Sequence, residues 1–270
     1  MKGRRFGGLV MSLLVLLLGR PAHSQGSGGG IYWHIDPSVR TCSMVIDPAL
    51  TQAQWETFVR QAGAILTYKS LAPAKPRGKG SFSLGIDYSI TPIDQRDPAW
   101  INTFTHPDAD CPLGDNIELP ALRATLGVSR TMEMTGFWSA APGANYGTVG
   151  GSFQYAFLRE SARVPATAFR ASAVALTGVP DFNFSVYSVG IEASKRIASI
   201  TPYAGVRQNL AVGTETTAKV NLDREAIPLT QGFLGAAFSV WRLGLTAEYD
   251  VSAVNTFALM MGFQSAGKSP

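Results

Sequence analysis

Few residues of this chain could do chemistry by type and spacing. Beyond an N-terminal leader the 270-residue sequence keeps only two histidines, His34 and His106. His106 stands in "THPDADCPLGDN" near Asp108, Asp110 and Asp115, where oxygen ligands could gather round calcium, or round zinc with the imidazole. Proline and glycine punctuate the same stretch, so a solvated loop accounts for it equally. A nucleophilic hydrolase needs a histidine beside its serine or cysteine. No G-x-S-x-G, H-E-x-x-H, paired C-x-x-C or glycine-rich phosphate loop occurs. The sequence thus predicts no enzyme, no catalytic residue, no metal site and no cofactor.

A second set of reactive groups is more orderly. Asp87, Arg123, Glu133, Arg170, Glu192, Arg207, Glu248 and Asp250 fall on or near the polar faces of segments whose apolar residues recur at every second position. Charges so placed either pair across a filled interior or line a pore, where they set ion selectivity. Both signs occur, which suits pairing. Their role depends on the elements that carry them.

Those elements are long strands. In "SFSLGIDYSI", Phe82, Leu84, Ile86, Tyr88 and Ile90 alternate with Ser83, Gly85, Asp87 and Ser89. Period two then persists through segments at 81–90, 118–129, 132–140, 147–158, 166–176, 182–193, 199–212, 229–240, 241–251 and 255–264. Most approach the ~9–11 residues that a tilted strand needs to cross a bilayer. Their connections sort by parity. The two longest, at 91–117 and 213–228, are both odd-numbered, as in barrels with long outer loops and short inner turns. Aromatic residues gather at strand ends (Tyr88, Trp138, Tyr146, Phe157, Tyr187, Tyr203, Trp241, Tyr249 and Phe263), as in interfacial girdles. One helix precedes the strands. Thr51 and Gln54 form a capping box, Leu50 and Trp55 a staple, and Trp55, Phe58, Val59, Ala62 and Leu66 an apolar face; the helix is expected to end near Tyr68.

The leader fixes the compartment. Lys2, Arg4 and Arg5 precede the apolar run "GLVMSLLVLLL" and the small-residue site "AHS", predicting a signal peptide cleaved after Ser24. It holds four of the 23 basic residues and none of the 19 acidic ones, so the remainder is balanced in charge. That gives no electrostatic footprint for nucleic acid. Only 16 % of the residues are charged, against the usual quarter, which fits a protein with much of its surface in lipid.

On "SFSLGIDYSI", "GGSFQYAFL", "ITPYAGVRQNL" and the closing "NTFALMMGF", the chain resembles the bacterial outer-membrane β-barrel superfamily across the leader and 81–264. Its helix and "LAPAKPRGKGSFSLG" are loosely similar to small uncharacterised barrels of gliding and predatory proteobacteria. The resemblance implies that Phe257, Leu259, Met261 and Phe263 form the signal read by the barrel-assembly machinery, here followed by a tail. The expected fold is an all-β membrane protein, a closed antiparallel transmembrane barrel of about ten strands. Its expected parts are 1–24 signal peptide, 25–80 linker and helix, 81–264 barrel and 265–270 tail. The helix is expected as a lumen plug or a periplasmic cap.

Outer-membrane lipid, the assembly machinery and other envelope proteins are the expected partners. A structural anchor of an envelope complex, of adhesion or gliding type, and a narrow plugged channel both suit these features. A membrane-embedded hydrolase or acyltransferase is the minor alternative, with His106 its best candidate. Cys42 and Cys111 are the only cysteines, and an oxidising compartment predicts their disulfide as a latch on the plug.

Overall fold

A computed structural model describes residues 43–104, 113–141 and 144–265. Ten strands make one sheet: β1 (Phe82–Pro92), β2 (Asn116–Gly127), β3 (Met132–Ala140), β4 (Gly147–Leu158), β5 (Ala166–Thr177), β6 (Phe182–Ser194), β7 (Ile200–Glu215), β8 (Glu225–Val240), β9 (Leu243–Val251) and β10 (Thr256–Ser265). Each pairs antiparallel with the next. β1 then closes on β10 in a register running from Phe82↔Ser265 to Ile90↔Phe257. Closure leaves no edge of unpaired N–H and C=O groups, the condition for a sheet to cross hydrocarbon.

The alternation decides the two faces. Leu84, Met134, Leu245 and Met261 point outward and are about half exposed, while Ser83, Asp87, Arg123 and Thr246 point inward and are buried. β3 and β4 have the expected bounds. β8 starts earlier than expected because Glu225–Gln231 pair with β7 alone, beyond the last β9 partner of the strand. Two expected girdle residues turn inward. Tyr203 shares the inner face of β7 with Arg207 and lies over Gly235, whose missing side chain makes room for its ring. Tyr146 is buried against Phe104.

Connections 93–115, 141–146, 178–181, 216–224 and 252–255 share one rim. The short turns and both barrel ends share the other. In outer-membrane barrels the long-loop rim faces outward and the short-turn rim the periplasm, the topology expected from the sequence.

Helix α1 (Gln52–Leu66) starts at the expected box: Thr51 Oγ1 accepts from the Gln54 N–H, and Gln54 Oε1 accepts from the Thr51 N–H. It packs on the inner walls of β6, β7 and β8 near the long-loop rim. The approach is close: a Cβ on Gly63 would fall 2.5 Å from that of Ala211, and one on Gly213 would fall 2.7 Å from Val59 Cγ2. A short helix α2 (Pro98–Ile101), unexpected from the sequence, covers α1 from the first loop. α1 lies at the long-loop end, opposite the short-turn rim where the periplasmic-cap alternative would place it. The helix also stops at Leu66 rather than Tyr68 and does not span the barrel alone. Residues 67–80 continue through the lumen to the short-turn rim.

Candidate functional site

The lumen is the site to which the charged residues point. In its outer part the apolar face of α1 builds a core. Trp55 stacks on Phe58, with centroids 5.7 Å apart, and Phe58 meets Trp100 and Phe182 edge-on at 5.2 and 5.7 Å. Ile227 and Leu229 of β8 join this cluster from the wall. Polar groups tie its top. Trp100 Nε1 donates to Gln61 Oε1, Met44 N to Asn145 Oδ1 at 2.8 Å, and Ile46 N to Asp181 Oδ2 at 2.9 Å. Residues 44–46 therefore touch the β3–β4 and β5–β6 connections, and Val45 bridges to Phe104 of the first loop.

Deeper in, the chemistry changes. The extended segment from Tyr68 to Arg77 bonds to side chains of seven strands. Arg207 (β7) donates to Tyr68 O, and Arg123 (β2) to Lys69 O at 3.0 Å. Ser70 Oγ donates to Glu192 (β6) at 3.1 Å, and Gln154 (β4) donates to Ala74 O at 2.7 Å. Arg77 N donates to Glu133 (β3), and its guanidinium to Ser83 Oγ (β1). The seventh is Glu248 (β9), which accepts from Ser70 N at 3.0 Å and Leu71 N at 2.7 Å. Two consecutive amides on one carboxylate make a small anion nest. Leu71 adopts φ +44 to form it, unusual for a side chain of that size, and its fully buried side chain packs on Ala258 and Met260. Bonds from walls on all sides of a closed barrel mean that the segment runs inside it.

The eight charges are all buried in this region. Arg123 pairs with Asp87 at 2.7 Å and Arg170 with Glu192 at 2.7 Å. Arg207 bridges Glu248 at 3.0 Å and Asp250 at 2.8 Å. Glu133 is held instead by the Arg77 amide. Tyr68 lies beneath two guanidinium groups, 4.8 Å from Arg123 and 5.7 Å from Arg170. Tyr203 Oη adds a bond to Glu248 at 2.9 Å. Removing one partner of such a pair strands a charge away from water, which costs roughly 3–5 kcal/mol. The arrangement grips a peptide segment; among the described residues no three His, Cys, Asp or Glu side chains group as a metal site.

The segment leaves through the short-turn rim. A Cβ on Gly127 would fall 1.9 Å from Gly78 O, so only glycine admits the chain there. Lys75 pairs with Glu160 of the β4–β5 turn at 3.0 Å, and Arg196 N donates to the same carboxylate at 2.6 Å. The backbone bond from Arg196, then the Lys75 ammonium, hold the Glu160 carboxyl below its ordinary range.

Phe257, Leu259, Met261 and Phe263 line the outer face of β10. Cys42, Cys111, His34, His106, Asp108, Asp110, the leader and residues 266–270 of the expected tail lie outside the described residues, whereas Ser265 ends β10. The sequence reading missed the grip itself. Its signal was the small-residue stretch "ATAFRASAV": Ala166 and Ala168 face inward, where Ala74 packs on them.

No protein-family model matches the chain, and no curated protein does. Solved structures similar to it include Ail, the attachment invasion locus protein of Yersinia pestis, crystallised with the heparin analogue sucrose octasulfate. That likeness has 12 % identity and a TM-score of 0.31, covering 69 % of this chain and 99 % of that one. OprG of Pseudomonas aeruginosa gives 10 %, a TM-score of 0.31, and 73 % and 100 % coverage. The translocator domain of the autotransporter NalP from Neisseria meningitidis gives 7 %, a TM-score of 0.35, and 76 % and 92 % coverage. What identifies the fold is the chain's own geometry: a sheet closed on itself, apolar on its outer face and polar within, is the architecture of a transmembrane β-barrel.

Proposed function

We propose that the protein is a sealed outer-membrane anchor, a barrel that holds a folded cap at the outer surface for an envelope complex and passes no solute. One observation carries this reading: the segment from Tyr68 to Arg77 is bonded to seven strands and fills the middle of the lumen. Its charges serve the segment rather than a passing ion. Planar-bilayer recording tests it. The mature protein should give no steady conductance, whereas deletion of 25–75 should give stable openings; steady conductance by the intact protein would refute the sealed state. Partners that co-purify in mild detergent would support the anchoring role.

A plugged channel is the second reading, and a specific observation favours it. Ser188 Oγ, Arg207 Nε, Asn209 Oδ1, Gln231 Nε2 and Asp250 Oδ2 are buried on the inner faces of β6 to β9 and have no protein partner among the described residues. Such a wall would hydrate if the segment withdrew. Openings of the intact protein under moderate voltage, absent when the segment is cross-linked to the wall, would favour it.

A further inference from the structure

The short-turn rim has a pattern that neither reading uses. Each of its four turns sets an exposed apolar side chain beside an exposed arginine: Val128 with Arg130, Val164 with Arg163, Ile197 with Arg196, and Trp241 with Arg242. Trp241 is 87 % exposed at the tip of the β8–β9 turn, and the Arg242 guanidinium lies 5.5 Å from its ring centroid. Among the described residues no carboxylate side chain pairs with any of these four guanidinium groups. Among the described residues Glu160 is the single acidic residue of that rim outside the lumen, and Lys75 already holds it. The long-loop rim has the opposite balance, with Asp94, Asp115, Glu215 and Asp223 among acids that outnumber its bases.

We propose that the short-turn rim is a collar for anionic phospholipid head groups of the periplasmic leaflet. The apolar member of each pair is exposed next to a strand end: Val128 lies beyond Leu126, and Trp241 beyond Val240. It therefore sits at the acyl boundary while the guanidinium reaches the phosphate level, the disposition of interfacial tryptophan and snorkelling arginine. The planar guanidinium matches phosphate oxygens with paired donors. The cations occupy every turn around the barrel. An annulus of lipid meets all of them at once, whereas one protein or glycan strand would need them gathered on one side. The collar is independent of whether the lumen conducts.

Native mass spectrometry of the mature protein, offered equal phosphatidylglycerol and phosphatidylcholine of the same chains, tests this. The protein should retain phosphatidylglycerol preferentially. Each arginine removed should reduce that preference by roughly fivefold. The variant combining Arg130→Gln, Arg163→Gln, Arg196→Gln and Arg242→Gln should lose it while still shifting on heating in detergent gels, as a folded barrel does. Should that variant fail to fold, Arg130→Gln and Arg242→Gln alone should each show the partial loss. Equal retention of both lipids by the wild type, or an undiminished preference in the variants, would overturn the collar. Arginine-dependent sedimentation with purified peptidoglycan, with no lipid preference, would assign the rim to the cell wall instead.

Discussion

The outer and middle parts of one lumen are built on opposite principles. Near the long-loop rim the wall turns Phe182, Phe184, Ala211, Ile227 and Leu229 inward against α1, and the result is an ordinary apolar core. A few residues deeper the same strands turn Glu192 and Arg207 inward, and the filling is ionic. The strands and their alternation are the same in both. What differs is the form of the N-terminal segment. A helix satisfies its own backbone and offers side chains, so it asks for an apolar wall. An extended segment offers bare N–H and C=O groups, so it asks for a wall of charged and amide side chains.

This contrast orders the consequences of mutation. Arg207→Ala should have the largest effect, roughly 3–5 kcal/mol, because it strands Glu248 and Asp250. The urea midpoint of the heat-shifted band measures it; a loss no larger than that of a helix cap would mean that water reaches these ions and that the lumen is open. Reduction of a Cys42–Cys111 bond should follow, at about 2–4 kcal/mol, felt mainly in the outer core. Of the described residues near them, Met44 belongs to that core and Leu113 packs against it. Non-reducing mass mapping decides it, and free thiols at both positions would remove the latch.

Gly63→Val should cost about 1–3 kcal/mol by forcing α1 off Ala211, without opening the lumen to ions. Conductance from that variant would show that the seal lies in the helix rather than in the segment below it. Thr51→Ala removes the cap of α1 and should cost about 1 kcal/mol. The smallest effect concerns pH. Because folding lowers the Glu160 carboxyl, its contribution is complete at neutral pH and is lost as pH falls through the carboxylate range. Hydrogen exchange at the Arg196 amide, corrected for its intrinsic rate, should rise on acidification, and Glu160→Ala should exchange at the acid rate at every pH.

The strands were legible because lipid enforces a strict period. Where lipid is the only neighbour, as along Phe257, Leu259, Met261 and Phe263, the outer face reads directly. The inner face is harder. Ala166 and Ala168 look like lost alternation until Ala74 is seen against them, and Phe184 looks lipid-facing until Phe58 meets it. The charges were visible one by one, but their common target was not. That target is backbone, which has the same groups at nearly every residue and leaves no signature in a sequence. Tyr203 shows the same limit: an aromatic residue near a strand end reads as girdle, and only its register with Gly235 and Glu248 turns it inward.

The threaded segment also constrains the order of assembly. Trp55, Phe58 and Tyr68 are wide side chains in a sheet already closed from β1 to β10. Drawing them in after closure would mean reopening a seam, so the barrel is wrapped round the segment while still unsealed. Ser70 and Leu71 hold Glu248 of β9, and Tyr68 holds Arg207 of β7. The part of the described chain that precedes the strands thus touches late strands from within, so it can speed the closing of the last seam without being needed for the closed sheet to hold.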